Sequence, residues 1–322
     1  MPPHISIIVV NWNNASDTIA CIASLHDIQY SAFDIIVVDN GSHDGSADRI
    51  QAATEDITLV RNERNLGFAV GNNIGIQCAL KKGADAVLLL NNDTTVGPEI
   101  LNAFVSAVDT HPDAGFLTAK IYYFDDPNRI WMGLPHWTGN SCSFEHDGLD
   151  ALDEHGAFEN IVEISYACGC ALFATADTLA RVGLMEPKFF CYFEEVDWCF
   201  RAARKGLKSY FVPGAKVWHK VSATSGGKQA PIVRYFRTRN RLLFAKRNLV
   251  GRERTTFIRN VHREGLRDMG WREKGLLAPL KRAYWNVLSL RTDPQRSAWT
   301  CGIRDFYRGR FGDAPDSIKK MR

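Results

Sequence analysis

Through the first 120 residues, short apolar runs alternate with segments whose apolar positions recur every three or four residues. Residues 5–10, 34–38, 57–60 and 86–90 read as strands, and 15–25, 67–82 and 98–111 as helices. Strands that alternate with helices predict βαβ units, and so an α/β class built on a parallel sheet. Two of the strands stop at small polar or acidic residues, Asp39-Asn40-Gly41-Ser42 and Asn91-Asn92-Asp93. Open α/β sheets bind ligands beyond the carboxyl ends of their strands, so these two ends are expected to meet in one crevice.

The pattern changes further on. Residues 115–121 give another strand, and 126–160 form a long polar, Gly-containing section of the kind that often serves as a functional lid. Order returns over 162–174 and 187–219, and 222–229 (SATSGGKQ) reads as a loop. Three basic helical patterns follow, near 231–249, 252–269 and 273–290.

Charge sharpens this division. The net charge of +3 conceals 15 Lys and Arg against 28 Asp and Glu in residues 1–227, and 24 against 8 in 228–322. The expected organisation is therefore a domain over 1–227 at −13 and a basic helical extension over 228–322 at +16. Such asymmetry points the extension at an anionic partner. Its last pattern sets Leu276, Leu277, Leu280, Tyr284, Trp285 and Leu288 beside Lys281, Arg282 and Arg291, which suits an interfacial helix. Packing on the acidic domain is the alternative. No apolar run approaches the ~20 residues of a membrane span, and no cleavage-site pattern follows the first apolar run. The eight cysteines include no CxxC pair, which predicts reduced core thiols in a cytosolic protein rather than a zinc site. No nucleic-acid-binding module is recognisable.

Candidate chemistry gathers at the strand ends and in 187–219. Asp39 suits a hydrogen bond from a base N–H, and the glycines beside it allow a close approach of backbone. The run Asn65-Leu66-Gly67-Phe68-Ala69-Val70-Gly71-Asn72-Asn73 opens a helix with more asparagine than a cap needs, so its amides suit base, ribose or phosphate groups. Asp93 is placed to bind a divalent cation that holds a diphosphate. Glu194, Glu195 and Asp197 open a helical pattern behind Phe189, Phe190, Tyr192 and Phe193, where apolar rings raise a carboxylate toward the range of a general base. An acidic first turn also arises on dipole grounds alone, and Asp197 with Arg201 at i,i+4 fits that simpler account. There is no GxGxxG and no GxxxxGK[ST], which argues against dinucleotide and P-loop sites.

Taken in order, SIIVVNWN (6–13), DNGS with DGS (39–46), NLGFAVGNN (65–73), LLLNNDT (88–94), GCALF (169–173), FCYFEEVDWCFR (190–201) and PGAKVWH (213–219) resemble the inverting family 2 glycosyltransferases. The likeness is to the rhamnosyltransferase-like branch, which builds bacterial surface polysaccharides. It implies the GT-A nucleotide-diphospho-sugar transferase fold, with a mostly parallel Rossmann-like sheet. It also implies a nucleotide-sugar donor, such as a dTDP- or UDP-sugar, bound by Asn11, Asp39, Asn65, Gly67, Asn72, Asn92 and Asp93. Arg239 is expected on the departing diphosphate, and Glu195 as the base. Asp93, as the last acid of the DxD element, and His219 are expected to ligate Mg2+ or Mn2+. The acceptor is expected to be a saccharide or a polyprenyl-diphosphate-linked sugar, reached by peripheral contact with the inner face of the cell membrane. The chain departs from the pattern at Asn91 and Asn92, where many members carry acids. A sugar-phosphate nucleotidyltransferase would show a GxGxR loop where Asn11–Asn14 stand. A non-catalytic sugar-nucleotide-binding or scaffold protein is the alternative from another class.

Overall fold

The computed structural model describes residues 1–139, 141–154, 158–221, 230–268 and 293–321. In chain order the first elements are β1 (Ile5–Asn11), α1 (Ala15–Leu25), β2 (Phe33–Asp39), α2 (Ser46–Ala53) and β3 (Ile57–Arg61). There follow α3 (Gly67–Lys81), β4 (Ala86–Asn91), β5 (Thr94–Val96), α4 (Ile100–Thr110) and β6 (Ala114–Tyr123). The middle of the chain carries β7 (Leu134–Thr138), β8 (Ser143–Asp147), β9 (Val162–Ile164), β10 (Ala171–Thr175), α5 (Ala176–Val182), α6 (Glu194–Ala203) and β11 (Lys208–His219). Among the described residues, the helices α7 (Pro231–Asn248), α8 (Gly251–Asp268), α9 (Pro294–Tyr307) and α10 (Asp316–Lys319) follow.

The main sheet runs in the order β3-β2-β1-β4-β10-β6-β11-β5, with β9 on β11. Its first four strands are parallel, as the βαβ pattern predicts. The sheet is nevertheless mixed, because β10 enters antiparallel between β4 and β6, and β5 antiparallel on β11. The strand β4 reads as an apolar run, and β1 as one interrupted only by Ser6, because both faces are covered. Helix α3 lies close enough on the sheet that a Cβ at Gly75 would collide with the Ile8 side chain. Glycine costs a helix interior about 1 kcal/mol, and here it permits that approach. The polar section over 126–160 holds a regular element that the sequence reading missed, the β7–β8 pair.

The chain divides into two compact units. The first comprises Met1–Trp137, Phe144–Pro187 and Glu194–Thr224 and contains the main sheet. The second comprises Thr138–Ser143, Lys188–Phe193 and Ser225–Arg322. The expected division at 227/228 thus differs in two short segments, 138–143 and 188–193, which cluster with the helical unit. That unit has a core of Tyr235, Phe236, Ala298, Cys301, Ala314 and Ile318. Among the described residues no helix is long and apolar enough to cross a membrane. The pattern over 273–290 and the loop over 222–229 lie outside the described residues.

Candidate active site

Register brings the polar strand ends together. Asn11 is opposite Asp39 in the β1–β2 ladder, and Val10 is opposite Asn91 in β1–β4. Asn11 Nδ2 donates to Asp39 Oδ1 at 2.8 Å and to Ser42 Oγ at 3.1 Å, while the Ser42 amide donates to Asp39 Oδ2 at 3.1 Å. On its other side Asn11 Oδ1 accepts from Thr18 Oγ1 at 2.9 Å, and Asn92 Nδ2 donates to Thr18 Oγ1 at 2.9 Å. A line of hydrogen bonds therefore joins Asp39, Asn11, Thr18 and Asn92 across three strand ends. Each Asp39 oxygen has one partner here, and a carboxylate offers about four acceptor positions, so capacity remains for a ligand N–H.

The asparagines around α3 behave differently from the expectation. Asn40 Nδ2 donates to Gly67 O at 3.1 Å and to Asn65 Oδ1 at 3.2 Å, and its Oδ1 accepts from the Leu66 amide at 3.2 Å. Asn65 Oδ1 also accepts the Gly67 amide at 2.8 Å. Asn72 Nδ2 donates to Phe68 O at 3.0 Å, and Asn73 exchanges two hydrogen bonds with the backbone of Met185. The side-chain bonds of Asn65 and Asn72 thus go to the protein itself, shaping the turn at Gly67 (φ +84°) and the start of the helix. Buried amides need partners, and Asn72 and Asn73 find them in the protein.

On the far side of the sheet, pairing of β11 with β5 puts His219 opposite Thr94. His219 Nε2 lies 3.0 Å from Asp93 Oδ1, and both residues are 6% exposed. The Trp131 ring stands edge-on to the imidazole with centroids 4.3 Å apart. His219 Nδ1 and Trp131 Nε1 are buried without a hydrogen-bond partner. No third His, Cys, Asp or Glu completes a protein-only metal cluster among the described residues. Cys21 and Cys170 lie near Asp93, but burial pushes the Cys21 thiol up to about 12 and raises Cys170 well above its usual value, so both stay protonated. Beside His219, Lys220 Nζ bonds Asp17 Oδ1 at 2.7 Å. Burial works against the ionised Asp17, yet hydrogen bonds from Lys220 and Asn14 keep its carboxyl below the ordinary range.

The three acids that open α6 have distinct surroundings. Asp197 is fully buried and accepts from Arg201 Nε at 3.0 Å, while Arg201 also donates to Val182 O and Leu184 O, both at 2.7 Å. Glu194 is 3% exposed and its Oε2 is buried without a partner. Burial, then the neighbouring Glu195, raises its carboxyl well above the usual range. Glu195 alone of the three is partly exposed, although its Oε2 is buried. A Cβ placed on Gly169 would lie 3.8 Å from Glu195 Cβ and 3.4 Å from the Phe68 ring. One residue along, the Cys170 carbonyl accepts the Asn91 amide at 2.9 Å, and Asp93 is close enough to raise the Cys170 thiol. The run Cys168-Gly169-Cys170 therefore passes Glu195 at Gly169 and Asp93 at Cys170.

Arg239 departs from its expected place. Within the helical unit it is 0% exposed, and its Nη2 donates to Phe189 O at 3.0 Å and to Lys188 O at 3.4 Å. Nη1 donates to Gly312 O at 2.7 Å and Tyr235 Oη at 3.2 Å, and Nε to Asn240 Oδ1 at 3.0 Å. All five N–H groups are thus engaged, which leaves none for a diphosphate. In the segment they hold, Phe190, Tyr192 and Phe193 have φ of +66°, +71° and +75°. Left-handed backbone costs an L-residue roughly 1–2 kcal/mol, so three such residues need external support.

The glycosyl transferase family 2 profile matches residues 6–169, half of the chain. Among curated relatives, the dTDP-rhamnosyl transferase RfbF of Shigella flexneri is 23% identical over 227 residues, covering 67% of this chain and 72% of that one. The N-acetylglucosaminyl-diphospho-decaprenol L-rhamnosyltransferase of Mycobacterium tuberculosis is 23% identical over 250 residues, covering 70% and 79%. Among solved structures, the mannosyltransferase PcManGT of Pyrobaculum calidifontis, in complex with GDP-Man and Mn2+, superposes with a TM-score of 0.59 at 13% identity, covering 96% of this chain and 88% of that one. This likeness shows the GT-A fold. The non-catalytic alternative is set aside by the family match together with the named transferase relatives. The chain belongs to glycosyl transferase family 2 and is a rhamnosyltransferase-like enzyme of that family.

Proposed function

We propose that this enzyme inverts the anomeric centre of a nucleotide-diphosphate sugar as it transfers that sugar to a hydroxyl of a lipid-linked saccharide. The names of its relatives make dTDP-rhamnose the first donor to try, and an N-acetylglucosaminyl-diphospho-polyprenol the first acceptor. One observation carries the reading: Glu195 is the one acid of the α6 turn that is not fully buried, and it sits beside Gly169 on the run that leads to Asp93.

In this scheme Glu195 takes the proton of the acceptor hydroxyl. The hydroxyl oxygen bonds to the anomeric carbon as the bond to the diphosphate oxygen breaks, and the nucleoside diphosphate leaves. Asp39 and the Asn11 line orient the nucleoside. The buried carboxylate and imidazole of Asp93 and His219, with His219 Nδ1 unpartnered, fit a divalent cation whose remaining ligands come from the donor and water. When bound, such a cation supplies positive charge to the diphosphate. Glu195→Gln tests the scheme: donor binding by thermal shift should persist while kcat falls roughly 10²–10⁴-fold. Near-normal turnover would remove Glu195 as the base.

The basic extension is assigned to the anionic surface where a lipid-linked acceptor resides. Exposed Arg259, Arg263 and Arg267 form a one-sided i,i+4 stripe on α8, and each basic residue near such a surface contributes about 1 kcal/mol. Flotation with anionic liposomes at low salt should carry the full chain upward and lose it at high salt. Protein that stays at the bottom at low salt would end this assignment.

A further inference from the structure

We propose that Arg239 and Asn240 are positioning residues for transfer, which act by fixing the backbone of Lys188–Phe193 and so the direction in which the chain enters the acidic first turn of α6. The inference rests on the reading of Glu195 as the base. Its foundation is a coincidence of geometry in one short segment. Asn240 Nδ2 lies 2.9, 2.8 and 2.8 Å from the carbonyl oxygens of Phe189, Cys191 and Tyr192, which share its two N–H groups. Each of these carbonyls belongs to the peptide immediately before a left-handed residue, namely Phe190, Tyr192 and Phe193. Rotation about the N–Cα bond of any of the three would swing its preceding carbonyl off Asn240. One carboxamide thus locks three φ angles that L-residues rarely adopt.

The carboxamide is itself held. Arg239 Nε donates to Asn240 Oδ1, which leaves the amide nitrogen facing the carbonyls, while Arg239 Nη2 adds bonds to Lys188 O and Phe189 O. Tyr235 Oη accepts from Arg239 and donates to buried Asp305 at 3.0 Å, which balances the buried cation through one hydroxyl. Stacking of Phe190 on Phe236, with ring centroids 5.3 Å apart, fixes the first strained residue from its side chain as well. The last strained residue, Phe193, is bonded directly to Glu194, and Glu195 follows. Released from these bonds, the three residues would return to negative φ and turn the acidic residues that follow them.

The test uses the full chain with dTDP-rhamnose and an N-acetylglucosaminyl-diphospho-polyprenol, assayed well below the melting temperature of each variant. Asn240→Ala should lower kcat at least tenfold, in line with the cost of about 1 Å of misplacement, while donor Kd stays within about threefold. Glycine accepts positive φ freely, so adding Tyr192→Gly to Asn240→Ala should recover part of kcat, which a loss of general stability would not allow. If Asn240→Ala does not fold, Arg239→Lys, which keeps the charge but not the planar fork, is read in the same way. Wild-type kcat with only a lower melting temperature, an equal fall in donor affinity, or a double variant no faster than Asn240→Ala would each overturn the proposal. Glu195→Gln measured alongside separates the two readings. If it keeps turnover, the base assignment fails, whereas the positioning proposal fails on the Asn240 and Arg239 variants.

Discussion

The strand-end crevice and the segment that leads into α6 solve the problem of holding polar groups still in opposite ways. At the crevice, Asp39, Asn11 and Asn92 stand at the ends of neighbouring strands or in the turns just beyond, Thr18 stands in the first turn of α1, and the four are joined in a line with ordinary backbone geometry. At 188–193 the backbone itself is strained, and the restraint comes from Arg239 and Asn240, about fifty residues later. The first arrangement follows from a regular sheet. The second requires a particular pair of side chains on α7, so it depends on a part of the chain that the family profile does not reach.

Substitutions at the α6 turn test this contrast most strongly. Glu195→Gln should remove the equivalent of about 3–5 kcal/mol of transition-state stabilisation with little change in melting temperature. Asp197→Asn should do the reverse: the buried partner of Arg201 is lost, folding stability drops by about 3 kcal/mol, and the surviving folded protein keeps most of its kcat. Chemical denaturation and initial rates on both variants separate these roles, and a fully active Glu195→Gln or an Asp197→Asn as stable as wild type would collapse the distinction. At the crevice, Asp93→Asn and excess EDTA should each lower turnover about a hundredfold, and their effects should not multiply if both act on one cation. Full activity in EDTA would leave Asp93 and His219 as a structural contact only.

The smallest effect is one of pH. Glu194 binds its proton more tightly folded than unfolded, so the folded state holds more protons above pH 4.5, and stability declines as pH rises from there toward its raised folded value. Glu194→Gln, which is neutral throughout, should flatten the melting temperature between pH 5 and 8 and match or exceed wild type at pH 8. An unchanged slope would mean that Glu194 ionises freely.

The parallel half of the sheet was legible because β1 and β4 are apolar on both faces and end at polar residues, a pattern that few other structures produce. The antiparallel entry of β10 was not legible, since the apolar run Ala171–Thr175 reads the same in either direction. The half-buried and polar strands β7 and β8 gave no alternation to detect. Asp39, Asp93, Glu195 and His219 stood out by chemical type at strand and helix ends. The contacts that Asn65 and Asn72 make with the protein itself were not legible, because an amide suited to a ligand is equally suited to a backbone amide, as at Gly67, or a backbone carbonyl, as at Phe68. Arg239 was misread because arginine on a basic helix implies exposure, whereas its use here depends on distant carbonyls. The signal that it is buried was its setting, between Tyr235, Phe236 and the apolar run Leu242-Leu243-Phe244.

The line from Asp39 through Asn11 and Thr18 to Asn92 has a thermodynamic consequence for ligand capture. Ordering a mobile side chain during association costs about 0.5–1.5 kcal/mol, and these four are already immobilised by one another in the folded protein. A nucleotide arriving at this crevice therefore meets dipoles whose orientation was settled when the chain folded. Its affinity is carried by contact strength rather than eroded by reorganisation.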